Sequence, residues 1–86
     1  MNERWKVKNK PASLDARFEF EEFGVMRAFL DELADEADKL DHHPNVSFGR
    51  THASVIIYSR SETVDDLDLA LVKAIDEGYD RIINPS

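Results

Sequence analysis

Between Leu14 and Leu40 the spacing of apolar residues changes period, and this change constrains the fold more than any other feature of the chain. Leu14, Ala16, Phe18 and Phe20 alternate with Asp15, Arg17 and Glu19, the period of two of a strand with one buried face. From Phe23 onward the spacing becomes three and four. Met26, Phe29, Leu30, Leu33, Ala34, Ala37 and Leu40 recur with acids between them, as on one face of a helix. The pattern predicts a helix from about Glu22 to about Leu40, with Glu21 and Glu22 at the positive end of its dipole. Pro44 has no amide hydrogen with which to continue a helix, so the segment ends near Asp41.

The flanks repeat the same two periods. Trp5-Lys6-Val7-Lys8 alternates as a short strand, and Asn9 to Ser13, with Pro11 inside it, reads as a loop joining two strands into a hairpin. Downstream, Phe48 and Gly49 precede Ala53, Val55 and Ile57, which are interleaved with Ser54, Ile56 and Tyr58. Gly49 marks a bend between two further strands rich in β-formers. Thr63, with Asp66 three residues on, fits an N-cap. Val64, Leu67, Leu71, Ala74 and Ile75 then give a second amphipathic helix, ended near Gly78. Tyr79 to Ser86 reads as a loosely held tail. The order β-β-α-β-β-α predicts an α+β fold in one domain, residues 1–86, with a four-stranded antiparallel sheet and both helices packed on one face.

Composition narrows the function classes. Formal net charge is −7, from 18 acidic and 11 basic residues, which opposes contact with nucleic-acid phosphates. There is no cysteine, so disulfides and thiolate metal sites are excluded. No apolar run has the length of a membrane span and no signal-peptide pattern is present. A cytoplasmic protein with no nucleic-acid or membrane partner is expected. A chain of 86 residues with an open sheet edge is expected to form a homodimer, which protects the edge and enlarges the core. Its acidic surface suits a basic partner, with contact weakening as salt rises.

Asp38-Lys39-Leu40-Asp41-His42-His43-Pro44 is the densest functional segment. Histidine titrates near pH 6.5, roughly, and exchanges protons at cellular pH. Adjacent histidines just past a helix end point in different directions. Asp38 precedes His42 by one helical turn and is placed to orient an imidazole. The plainer alternative is that both histidines sit at the negative end of the helix dipole for its own sake. A metal site would need ligands beyond His42 and His43, with His52 and Asp38 as candidates, but the spacing matches no known pattern.

Phe18-Glu19-Phe20-Glu21-Glu22-Phe23, then Phe29-Leu30, then Ala37 to Pro44 resembles the pterin-4a-carbinolamine dehydratase family. Its signature is an acid, three residues, His-His-Pro, an aromatic, a further histidine and a later aspartate. The likeness runs from about Trp5 to about Ala74. It implies that Asp38 is the signature acid, that His42 and His43 are the paired catalytic histidines, and that Asp66 is the aspartate early in the second helix. In the family these groups surround a tetrahydropterin hydroxylated at carbon 4a, and histidines act as general acid and base to eliminate water. The resemblance places Pro44, Asp66 and Arg60 on the substrate-binding side and implies no metal and no cofactor.

The sequence departs from that pattern at defined positions. Arg60 stands where the family has its third histidine, and a guanidinium cannot serve as a base. Arg50 stands where an aromatic is expected, the loop before Asp66 is short, and only Met1 to Arg4 precede the first strand where many members have a helix. His52 lies too far from Arg60 along the strand to replace the lost imidazole and reads as a surface histidine. Ser47 to Thr51 and these departures resemble the dehydratase-like Rubisco assembly factors of α-carboxysomes. The first expectation is therefore a non-catalytic assembly factor whose partner is the Rubisco large subunit. The second is a working dehydratase that uses His42, His43 and Asp38.

Overall fold

The computed structural model describes residues 3–84 and begins with a hairpin of β1 (Lys6–Asn9) and β2 (Ala12–Glu19). Then follow α1 (Phe23–Leu40), β3 (Asn45–Phe48), β4 (His52–Tyr58) and α2 (Asp66–Ile83). Every pairing is antiparallel and the strand order is β1-β2-β4-β3. This is the expected β-β-α-β-β-α arrangement. β2 and β4 take the centre because they carry the buried alternation, whereas every residue of β1 and β3 is exposed.

The central register sets Leu14 opposite Ile57, Ala16 opposite Val55 and Phe18 opposite Ala53. All six are buried and share one face. Against that face α1 lays Met26, Phe29, Leu33 and Ala37, and α2 lays Leu71, Val72 and Ile75, making one continuous core. Phe18 is its hub. Its ring centroid lies 4.8 Å from that of Phe29, 5.0 Å from Tyr79 and 5.8 Å from Trp5, spacings at which each aromatic pair adds about 0.5–1.5 kcal/mol beyond area burial. Trp5 donates its indole N–H to Asp76 at 2.9 Å, which ties the start of the chain to α2.

Three boundaries differ from expectation. The first loop contracts to Lys10 and Pro11, since Ala12 and Ser13 pair with Asn9 and Lys8 in the ladder. α2 is capped by Asp65 rather than Thr63. It also runs through Gly78 to Ile83, so Tyr79 to Ile83 are helical rather than a loose tail; Pro85 and Ser86 lie outside the described residues. Gly78 is buried in mid-helix, and a Cβ there would lie 3.3 Å from the Glu32 carboxyl group. This glycine packs beneath the Glu32 side chain and does not stop the helix. Tyr79 is then carried into the aromatic cluster, and its hydroxyl donates to the Glu19 carbonyl at 2.8 Å. Gly49 does mark the β3–β4 turn, with its amide donating to the His52 carbonyl at 3.0 Å. Among the described residues, no helix is long and apolar enough to cross a membrane.

Phe18→Ala is expected to cost about 3–5 kcal/mol of unfolding free energy in urea titrations, and Tyr79→Phe, which loses one hydrogen bond, about 0.5–1.5 kcal/mol. Equal effects from the two substitutions would contradict the hub role of Phe18.

Candidate functional site

The end of α1 is what separates the two histidines. Asp41 adopts a left-handed conformation, φ 50° and ψ 44°, a state that Asp tolerates better than most side chains. Its amide donates to the Asp38 carbonyl at 3.2 Å, and the His42 amide donates to the Ala37 carbonyl at 3.1 Å. This is the pair of reversed bonds that closes a helix and turns the chain sharply. His42 is thrown inward and His43 outward.

His42 is 3% exposed, and its Nε2 lies 2.6 Å from Oδ1 of Asp68, which is 0% exposed. Asp68 was not singled out in the sequence. It is the third helical residue of α2, where its Oδ2 accepts the Asp65 amide at 2.9 Å while Asp65 Oδ1 accepts the Asp68 amide at 3.1 Å. The two aspartates thus form a reciprocal capping box. Asp65-x-x-Asp68 was the signal that could have found it. Thr63-x-x-Asp66 offers the same spacing two residues earlier and places the helix start in the wrong frame. In the structure the helix starts after Asp65, and Asp68, Leu71, Val72 and Ile75 are buried along it.

Burial pushes the Asp68 carboxyl group up, but the Asp65 amide, the Ser59 hydroxyl and the His42 ring outweigh it and hold the group below its ordinary value of 3.8. Asp68 is therefore a carboxylate at neutral pH and accepts, so His42 Nε2 carries the hydrogen between them. The preceding loop is braced by hydroxyls: Ser59 donates to the Thr63 carbonyl at 2.8 Å and Ser61 to Asp65 Oδ2 at 2.8 Å.

The other candidates lie around this pair. Asp38 reaches His43, not His42, with Oδ1 2.8 Å from His43 Nε2, and both side chains are exposed. The expected turn spacing from Asp38 to His42 fails because the reversal at Asp41 removes His42 from the helical path. Arg60 comes to the same loop, but its Nη2 donates to the Asp41 carbonyl. A guanidinium there also sits favourably at the negative end of α1. Asp66 is exposed in the first turn of α2. Pro44 and His43 line a groove of 300 Å³ with Leu33, Ala37, Val46 and Phe48, between α1 and the edge strand β3. His52 opens β4, half-buried, with its ring against Gly49. Among the described residues, no three His, Cys, Asp or Glu side chains are grouped to hold a metal ion.

The arrangement brings together one buried imidazole backed by a carboxylate and one exposed imidazole backed by another. These are the elements of proton exchange at neutral pH.

Residues 1–78 match the model of the family described as pterin 4 alpha carbinolamine dehydratase. A Metallosphaera sedula protein assigned as a pterin-4-alpha-carbinolamine dehydratase is 34% identical over 74 residues, covering 85% of this chain and 75% of that one. A Bordetella avium protein with the same assignment is 27% identical over 75 residues, covering 86% and 69%. Among solved structures, a pterin dehydratase-like protein identified as a RuBisCO assembly factor in the alpha-carboxysome is similar at a TM-score of 0.82 and 28% identity, over 91% of this chain and 92% of that one. A transcriptional coactivator/pterin dehydratase from Brucella melitensis shares the fold at a TM-score of 0.81 and 23% identity, over 90% and 83%.

Because the Asp68 carboxyl group is depressed in the folded state, its stabilising contribution is present above the ordinary aspartate range and is lost as pH falls through the folded value. Wild type should therefore exceed Asp68→Asn in urea midpoint at neutral pH, with the gap shrinking below about pH 4. A gap of constant size down to strongly acid pH would mean that the carboxylate contributes nothing through its charge.

Proposed function

This chain belongs to the pterin-4a-carbinolamine dehydratase family, and we propose that it catalyses the family's reaction, elimination of water from a 4a-hydroxytetrahydropterin. The observation that carries this reading is the buried His42–Asp68 pair. Burying an ionised carboxylate costs several kcal/mol before its partners offset it. A purely structural helix cap needs no imidazole at its back. In the reaction the C4a–O bond breaks, one group protonates the departing hydroxyl, another takes the ring-nitrogen proton, and water leaves with the quinonoid dihydropterin as product. Two imidazoles, His42 and His43, supply the two proton-transfer groups. Asp38 orients His43. Asp66 and Pro44 are the contacts to the pterin. Arg60 holds the Asp41 reversal in place and takes no proton.

Rubisco assembly, with the large subunit as partner, is the second function supported. Its support is Arg60 at the position where the family resemblance expects a histidine, together with the 28% identity to the RuBisCO assembly factor. Under either function the chain is proposed to be a homodimer built on β3. The other edge, β1, carries exposed Lys6 and Lys8, the charges that blunt an edge strand, whereas β3 is uncharged and presents Val46 and Phe48.

Freshly generated 4a-hydroxytetrahydropterin should dehydrate faster with wild type than spontaneously, and His42→Ala should lose about 10²–10⁴-fold of that rate. Wild type no faster than the spontaneous reaction, with activity appearing in Arg60→His, would overturn the dehydratase assignment and leave Rubisco assembly to be tested by the yield of assembled enzyme. In sedimentation experiments the wild type should run as a dimer and Phe48→Lys as a monomer. A dimer unchanged by that lysine would place the interface elsewhere.

A further inference from the structure

A second groove lies between the β2–α1 connection and the last turns of α2. Its volume is 610 Å³, within the roughly 300–1,000 Å³ of clefts that hold ligands. A helix rises 1.5 Å per residue, so Ile82 stands about 20 Å along α2 from Asp68. The groove is therefore separate from the histidine junction. Phe20 and Tyr79 form one part of its lining, edge to face with centroids 5.4 Å apart. The Tyr79 hydroxyl is committed to the Glu19 carbonyl, so what the two rings offer is a fixed apolar surface. Val25, Ile82 and Ile83 extend it, and Ile83 is 41% exposed.

The rim of this apolar surface is anionic. Glu19 and Glu21 are its charged lining residues, both exposed, and among the described residues that line the groove none is basic. Arg17 bonds one oxygen of Glu19 in an exposed pair, which leaves the second oxygen available. Arg4 lies 4.7 Å from the centroid of the Tyr79 ring, but its guanidinium is matched by Asp76. α2 ends at Ile83, so its last carbonyls bring the negative end of the helix dipole to the groove. The start of α1, of opposite polarity, is preceded by Glu21 and Glu22. An apolar patch with a polar rim marks an interaction surface, and this rim selects a cation. A second copy of the chain, with its net charge of −7, would bring like charge to it. The lining side chains also offer no unused hydrogen-bond donor, so recognition rests on apolar fit and positive charge, as it does for amphipathic segments bound in grooves.

We propose that this groove docks a segment of a partner protein in which a bulky apolar side chain stands beside lysine or arginine. The apolar side chain covers Phe20, Tyr79 and Ile83, and the cation meets Glu19 and Glu21. Docking here requires neither the dehydratase nor the assembly reading. The test is titration of the full chain, followed by nuclear magnetic resonance, with two synthetic peptides sharing a Leu-Phe-Leu centre, one flanked by lysines and one by glutamates. The lysine-flanked peptide should bind about tenfold more tightly, shift the methyl signals of Val25, Ile82 and Ile83, and weaken as salt rises. Glu21→Lys and Ile83→Ser, both at exposed positions, should each weaken it about fivefold without unfolding the chain. Equal affinity for the two peptides in wild type, or no shift at those methyls, overturns the proposal without recourse to a variant. Shifts centred instead on Asp31, Asp35 and Glu36, which line an acidic surface of α1, would show general attraction to acidic helix and overturn it as well. The same methyls shifting with protein concentration alone would make a second copy the occupant. Phenylbutylamine binding as tightly as the peptide would make it a small cationic ligand. Either result removes the partner segment.

Discussion

Pairing of β2 with β4 in the register that sets Phe18 against Ala53 is the constraint from which the remaining structure follows. Strands with a period of two have one choice of buried face once the register is set, and a shift by one residue would expose the whole set. That face receives both helices. Because the pairing is antiparallel and β3 returns alongside β4, the C-terminal end of α1 meets the loop that leaves β4 and starts α2. Arg60 donates to the Asp41 carbonyl across this junction, and His42 bonds to Asp68 within it.

The junction is polar where the rest of the interior is aromatic and aliphatic. Among the described residues, the buried polar or charged ones are Ser13, His42 and Asp68. A carboxylate with no exposure is tolerated because each oxygen is matched, one by a backbone amide and one by an imidazole. The same bonds hold Asp68 ionised against the burial that opposes it. A site of this kind is rigid, since moving either partner strands a buried polar group. His43, bonded to Asp38 at the surface, carries no such constraint. Two adjacent residues of the same type thus have opposite environments.

Much of this was legible from residue spacing. The change of period at Phe20 to Phe23 located β2 and α1 to within a residue or two, and the alternation from Ala53 to Ile57 located β4. The segment Asp38 to Pro44 stood out because an acid, two histidines and a proline follow a helical run. Boundaries failed where one residue type has two physical uses. Gly78 has the composition of a helix stop, but it lies buried in mid-helix, where a Cβ would come to 3.3 Å from the Glu32 carboxyl group. Thr63 has the composition of a cap, but Asp65 caps in its place, joined to Asp68 by a reciprocal pair of bonds.

The sequence by itself determined the elements, their order and the family, since periodicity and local motifs act over a few residues along the chain and need no knowledge of distant contacts. Tertiary structure decided which acid serves which histidine. Asp38, one helical turn away in sequence, is diverted to His43 by the left-handed residue at Asp41, and Asp68, twenty-six positions away, becomes the partner of His42. Such a pairing depends on where the junction of α1 and α2 brings side chains together in space, and burial there rewards only a fully matched donor and acceptor.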